Sequence, residues 1–332
     1  VSWRRWPIPI LIAALILAVG CGRVRKFSET RELMGTWINV TVYSESASQA
    51  RRAIDRAFEE MERVDRLMST YKEDSEVSRL NRDGFLKNPS PDLRFVIERS
   101  LYYSKISNGA FDITVQPILK LYSHTFKDLG RPPTEEEIEE AMKLVGYENV
   151  VLDGNEIRFR RKGVMITLGG IAKGYAIDKA IEAIRECGIR SALVNAGGDV
   201  RAIGLKPGGE KWRIALQNPR NEEEYITVMF ISDKAVATSG DYERYFDPNK
   251  KYHHIINPKT GRSAVELISV TVIADKAIDA DALATSAFVL GPEEGLKLIE
   301  RIKGAEGLLI TRDRRIIRSS GFDRYERKPE AR

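Results

Sequence analysis

In the segment AIDADALAT, Asp281 and Thr285 stand four residues apart at the head of an apolar run. On a helix that spacing puts a carboxylate and a hydroxyl on one face. Such a pair suits a hard cation such as Mg²⁺, which takes one or two protein oxygens and completes its shell with water and phosphate. A carboxylate near a helix start also serves as a cap or dipole partner, so Asp281 alone leaves both readings open. Asp279 reads as a surface or supporting acid.

A second segment, VMITLGGIAKGYAIDKA (Val164 to Ala180), breaks a strand-like run at Gly169-Gly170, passes Lys173 and Gly174, and continues as a helix. Ile177, Ala180, Ile181 and Ile184 make its apolar stripe, and Gly188 stops it. The N–H groups of the first turn favour an anion, and Lys173 adds a full positive charge. Neither the Walker spacing nor the dinucleotide fingerprint is present. The turn is therefore open between a phosphate cradle and a plain strand-to-helix connection.

VNAGGDVRAIG places two glycines and Asp199 after a strand, which fits close approach to a planar or phosphorylated ligand and fits a hairpin turn equally well. KYHHIINPKTGR holds two of the three histidines, so His253 or His254 could move a proton near neutral pH, or be packed and hydrogen-bonded. No Gly-x-Ser-x-Gly elbow, H-E-x-x-H or paired-cysteine zinc spacing occurs, which disfavours hydrolases and zinc enzymes of those kinds.

The elements that must carry these residues are legible. MGTWINVTVYSES alternates as a strand, and from Ser48 the apolar spacing turns helical through Met68. SPDLRFVIERSLYYSKISNG is a helix capped by Ser90, with Pro91 in the first turn and Gly109 past its end. Thr134 and Glu137 form a capping box for another, stopped by Gly146. VVLDGNEIRFRR reads as a hairpin around Asp153-Gly154. Further strands are expected at SALVNAG, WRIALQNP, YITVMFIS, KAVATSG, LISVTVIA and GLLITR. Strands and helices intermix without strict alternation, which predicts an α+β fold of mixed or mostly antiparallel sheet flanked by helices.

With 332 residues, 42% hydrophobic and 30% charged, the chain has the composition of an ordinary globular protein. Its net charge of +5 comes partly from basic residues at the two ends, so no nucleic-acid footprint is indicated. Residues 1–26 read as a signal peptide or membrane anchor: two arginines, an apolar core from Ile8 to Val19, then small residues and Cys21. The core is shorter than the roughly 20 residues of a full span. LAVGC resembles a bacterial lipoprotein signal, which implies lipidation of Cys21 and a bacterial cell-membrane location facing the periplasm or extracytoplasmic side; an uncleaved anchor is the alternative. Cys187 is then the remaining cysteine and reads as a small buried residue. Residues 27–322 form one unit, with a possible helical insertion at 117–146, followed by a basic tail at 323–332.

Eight motifs occur in order: MGT, DRLMSTYKEDSEVSRLN, NGAFDITVQPI, LGGIAKGYAID, NAGGDVRAIG, AVATSGDYERYF, HHIINPKTG and DADALATSAFVLG. Together they closely resemble the ApbE family, bacterial FAD:protein FMN transferases, over about Leu33 to Leu290. The resemblance implies a T-fold-related architecture with FAD in a cleft. It implies cofactor contacts at Met34, Tyr71, Ala110, Phe111, Asp112, Thr167, Lys173 and Ile255. It further implies Mg²⁺ held by the Gly170 carbonyl, Asp281 and Thr285. The implied reaction attaches FMN from FAD to a Ser or Thr hydroxyl of an acceptor redox protein as a phosphoester, releasing AMP. His254 is the expected proton acceptor. The alternatives are a periplasmic Mg²⁺-dependent FAD pyrophosphatase and a non-catalytic flavin-binding lipoprotein.

Overall fold

The computed structural model describes residues 23–247 and 251–326. The leader through Cys21 and the tail beyond residue 326 lie outside the described residues. The chain opens on a hairpin of β1 (Arg25–Leu33) and β2 (Thr36–Ser44), turning at Met34-Gly35 with both residues at positive φ. Arg25 and Lys26, read above with the leader, pair with Ser44 and Tyr43 and belong to the sheet. Ser46 caps α1 (Ala47–Met68), whose stripe from Ala50 to Met68 is buried as its period predicts. Then come α2 (Glu76–Asp83), β3 (Phe85–Lys87) and α3 (Pro91–Ile106), the last capped by Ser90.

The segment read as an insertion holds α4 (Gln116–Asp128) and α5 (Glu135–Met142), and the Thr134–Glu137 capping box is formed in both directions. β4 (Val150–Asp153) and β5 (Glu156–Phe159) pair around Gly154-Asn155, one residue later than expected. The run Val164 to Leu168 is not a strand. It is extended chain whose Ile166 backbone bonds to both side-chain polar atoms of Asn81, at 2.7 and 2.8 Å, while Thr167 N donates to Ile113 O at 2.8 Å. Side-chain and loop partners replace a sheet ladder there.

After α6 (Ala172–Glu186) come β6 (Ser191–Ala196), β7 (Asp199–Ile203), β8 (Trp212–Asn218), β9 (Asn221–Ile231) and β10 (Ala235–Gly240). The small pair β11 (Ile256–Asn257) and β12 (Arg262–Ser263) precedes β13 (Leu267–Ala274). The described chain ends with α7 (Ala277–Leu290), α8 (Pro292–Arg301), β14 (Glu306–Thr311) and β15 (Ile316–Arg318). Residues 323–326, read with the tail, are folded: Glu326 bridges to Met229 and pairs with Arg318 at 2.9 Å.

One eight-stranded sheet, ordered β1-β2-β6-β7-β10-β13-β14-β15, organises the molecule, and every neighbouring pair in it is antiparallel. The α+β expectation holds, on the antiparallel side. One face carries Val40, Val194, Val270 and Val272 into a core shared with α1, α6 and α7. The other face carries Val200, Val236, Ile273 and Leu308 against Trp212, Met229 and Phe322. Each fully buried Val or Ile contributes about 1.5–3 kcal/mol, so burial on both faces makes the central strands the stable frame. A third cluster, Ile118, Tyr122 and Ile256 with Phe126, Phe246 and Tyr252 around them, packs α4 against the chain between β10 and β11.

Candidate active site

β7 begins and β10 ends at one end of the sheet, and α6 begins there too. The glycine pair of NAGGD is the two-residue turn of the β6–β7 hairpin: Ala196 pairs with Asp199, and Gly197 and Gly198 have φ of 57° and 96°. Of the two readings left open, the hairpin is the observed one, because two successive positive-φ residues match the twist of the strands they join. A consequence is the position of Asp199 at the head of β7. It is buried, its Oδ1 accepts from Thr238 N at 3.0 Å, and its Oδ2 lies 3.0 Å from Lys173 Nζ.

Lys173 is thus a paired cation. Burial pulls its ammonium down, but Asp199 and then Asp281 outweigh that and hold it above the ordinary lysine range. Lys173 stands in the first turn of α6, whose N-cap residue Ile171 offers no side-chain cap. The cap arrives from α7: Asp281 Oδ2 accepts from Gly174 N at 3.0 Å. So Asp281 does cap a helix, though not its own. Gly174 is required for this approach, because a Cβ there would lie 2.3 Å from Ala277 O.

Thr285, one turn further along α7, meets the turn before α6. A Cβ on Gly170 would stand 3.1 Å from Thr285 Oγ1 and 3.2 Å from the Phe111 ring, which places these three residues side by side. Ser239 Oγ at the end of β10 lies 3.2 Å from Thr285 Oγ1. Gly170, Asp281, Thr285, Lys173 and Phe111 are therefore brought together. Among the described residues no cluster of three His, Cys, Asp or Glu side chains suits a metal. The donors gathered here are of another kind: one carboxylate and one hydroxyl beside a glycine turn, hard oxygens of the type Mg²⁺ takes. Burial, with Asp199 nearby, pushes the Asp281 carboxyl up to about 7. A buried acid strained in this way gains from a neighbouring cation, so the residues fit the ion.

The two histidines separate cleanly. His253 is buried, with Nε2 at 2.8 Å from Ala264 O, Nδ1 accepting from Ile255 N at 3.3 Å, and its ring edge-on to Phe288. Both nitrogens are used, so it is structural. His254 is half-buried but closely surrounded by protein, and that burial pulls it down to about 4. Its Nδ1 lies 3.0 Å from Arg244 O, which makes Nδ1 the protonated nitrogen and leaves Nε2 with a lone pair. Lys173 is among the charges that lower it, which puts His254 on the same side as the lysine.

Other expected contacts fare differently. Tyr71, in the loop after α1, is 88% exposed and presents its whole ring. Met34 occupies the β1–β2 turn and packs against the core edge. Thr167 Oγ1 accepts from Gly169 N at 3.2 Å and shapes the glycine turn. Ala110 is buried beside Phe111. Asp112 is engaged within the protein: Oδ1 accepts from Thr114 N and Oγ1, and Oδ2 from Tyr147 N at 2.8 Å. Its carboxyl, pushed up to about 6 by burial, ties the turn before α4 to the 147 loop. The Ile255 side chain lies in the core and its backbone bonds to His253 and Ala264. Asp279, read as a supporting acid, joins Arg99 at 2.6 Å and Tyr103 at 2.8 Å, and Tyr103 packs edge-on against Phe111. Sequence reasoning missed Asp199 as partner of Lys173, and Ser239, although AVATSGDYERYF contained it. No local spacing marks either, because both partners come from other strands.

The ApbE family pattern matches residues 34–309. The FAD:protein FMN transferase of Treponema pallidum is 31% identical, the match covering 96% of this chain and 94% of that protein. The enzyme of the same name from Vibrio cholerae is 32% identical over 90% of this chain and 91% of its own. Among solved structures, the ApbE protein of Thermotoga maritima superposes with a TM-score of 0.84 at 35% identity, over 92% of this chain and all of that one. The flavin transferase ApbE of Vibrio cholerae gives 0.78 at 30% identity, over 91% and 99%. The chain belongs to the ApbE family.

Proposed function

We infer that this chain is an FAD:protein FMN transferase, using Mg²⁺ to move FMN from FAD onto a Ser or Thr hydroxyl of an acceptor redox protein. The observation that carries the reading is the meeting of Gly170, Asp281 and Thr285 at the N-terminus of α6, which Asp281 caps from α7, with Lys173 in the first turn. Mg²⁺ held by the Gly170 carbonyl, Asp281 and Thr285 would offset the charge of the FAD diphosphate.

The chain's own residues do the rest. The α6 N-terminus and Lys173 hold the diphosphate oxygens. Phe111, Tyr71 and Met34 supply the apolar and aromatic surface for the isoalloxazine. His254 Nε2 takes the proton from the acceptor hydroxyl as that oxygen attacks the phosphorus next to riboflavin. The bond from that phosphorus to the bridging oxygen breaks, and AMP leaves with the electron pair. Because burial keeps His254 neutral, its Nε2 lone pair is available to accept a proton throughout the neutral range.

Incubating the protein with FAD, Mg²⁺ and a peptide bearing the acceptor threonine tests the reading. A fluorescent, covalently flavinylated peptide together with AMP is expected; free FMN and AMP without labelled peptide would make it a pyrophosphatase instead.

The LAVGC stretch supports lipidation at Cys21 and a place on the extracytoplasmic side of a bacterial membrane. Among the described residues no helix is long and apolar enough to cross a membrane. Incorporation of labelled palmitate that disappears in Cys21→Ala tests it.

A further inference from the structure

Asp178 and Arg201 belong to none of the motif roles above, yet they are among the most completely buried charges in the molecule, with side chains 5% and 10% exposed. Asp178 lies on α6, one turn after Gly174. Its Oδ1 accepts from Ala277 N at 2.8 Å and from Arg201 Nη1 at 2.6 Å, and its Oδ2 accepts from Ile278 N at 3.0 Å. These are the first N–H groups of α7, whose own N-cap residue, Lys276, supplies no side-chain cap. Asp281, one turn after Ala277, returns the arrangement by capping α6 at Gly174. Two antiparallel helices therefore exchange caps, each donating a carboxylate to the other's N-terminus. Between the two caps the backbones touch, as the space at Gly174 requires.

This exchange sets the position of α7 along α6 to a single register. A slide of α7 would break the bonds of Asp178 and Asp281 together, and would carry Thr285 away from Gly170. Arg201, reaching from β7, ties the register to the strand that also bears Asp199. Its Nε is buried with no hydrogen-bond partner among the described residues, an unfavourable arrangement kept while Nη1 holds Asp178.

We propose that Asp178, oriented by Arg201, is a positioning residue that fixes the spacing of Asp281, Thr285 and the Gly170 carbonyl, and so sets the affinity of the site for Mg²⁺. The inference rests on the Mg²⁺ reading given above.

The test is the Mg²⁺ dependence of FAD binding, followed by flavin fluorescence in the full protein, beside the Mg²⁺ dependence of transfer. Asp178→Asn keeps the shape and one acceptor but cannot receive both N–H groups and the guanidinium. Its Mg²⁺ midpoint should rise about tenfold in both measurements, while kcat at saturating Mg²⁺ stays within twofold of the wild type. A merely structural role would lower the folded fraction and kcat and leave the midpoint in place, which would overturn the proposal. Asp178→Ala leaves Arg201 buried and unpaired and is expected to fold poorly. Arg201→Lys therefore serves as the second variant, and it should move the midpoint in the same direction by a smaller factor. An unmoved midpoint in both folded variants refutes the inference and leaves the Mg²⁺ reading standing. Wild-type FAD binding and turnover that are indifferent to Mg²⁺ refute both.

Discussion

The junction of α6 and α7 and the loop that carries His254 supply the two halves of the site, and they are held by different physics. At the junction, carboxylates cap helices in trans, a lysine is paired inside the protein, and backbones meet at Gly174. Such contacts are directional and fail when displaced by a fraction of an ångström. The His254 loop combines aromatic packing with backbone hydrogen bonds, Phe246 N to Tyr252 O at 2.7 Å and His254 N to Arg244 O at 3.1 Å. Phe246 and Tyr252 bracket its outer part and stack on Tyr122 and Phe126 of α4, with ring centroids 5.2–6.2 Å apart. The buried Asp241 anchors its start, taking a two-pronged ion pair from Arg220 of the β8–β9 turn at 2.9 and 2.6 Å and a longer one from Arg312 at 3.6 Å. The loop's aromatic contacts tolerate small movements, which would suit admission of a protein acceptor beside a more rigid junction.

If that contrast holds, substitutions at the junction should strike the use of metal and FAD, and those in the loop should strike proton transfer. The largest effect is expected from Asp281→Ala, which removes a ligand and the α6 cap together. Mg²⁺-stimulated transfer should fall about a thousandfold, several kcal/mol of barrier, with the dependence on Mg²⁺ lost. Normal Mg²⁺-stimulated turnover would remove Asp281 from the site. His254→Ala should slow transfer by about a hundredfold or more while FAD binds with unchanged affinity, read by flavin fluorescence. Equal rates would take His254 out of the mechanism.

Tyr252→Ala loosens the loop without touching the junction. Transfer should drop about five- to tenfold at unchanged FAD affinity, and thermal denaturation should register the loss of an aromatic contact worth about 0.5–1.5 kcal/mol. A change in the Mg²⁺ midpoint in this variant would blur the division drawn above. The smallest effect concerns pH. With His254 at about 4 in the folded protein against 6.5 as an ordinary histidine, folding favours its neutral form. That contribution is fully present above pH 6.5 and is lost as pH falls toward 4. At saturating Mg²⁺, which would keep Asp281 ionised, a pH–rate profile should therefore stay flat from pH 7.5 to 6 on its acidic side, and a limb centred near 6.5 would show that the histidine is not shielded as the fold suggests.

The residues themselves show how far sequence reading reaches. Ser90, Thr134 and Glu137 were placed correctly because a cap and its helix lie within a few residues. The common face of Asp281 and Thr285 was secure for the same reason. Asp112 bonds to Thr114 and Tyr147 and Ile255 packs into the core, partners that a motif does not encode. The run Val164 to Leu168 looked like a strand because apolarity marks burial, whereas only the partner decides between ladder and loop.

By itself the sequence determined what is local: helical and strand periods, caps, the glycine turns, and the ordered motifs that single out the family. Tertiary structure alone decided that Asp281 caps α6, that Asp178 caps α7, that Lys173 faces Asp199, and that His254 rather than His253 keeps a free nitrogen. Asp178 and Ala277 stand 99 residues apart in the chain and 2.8 Å apart in space. No spacing rule spans that gap; the sheet closes it by burying both faces and leaving α6 and α7 one way to lie together.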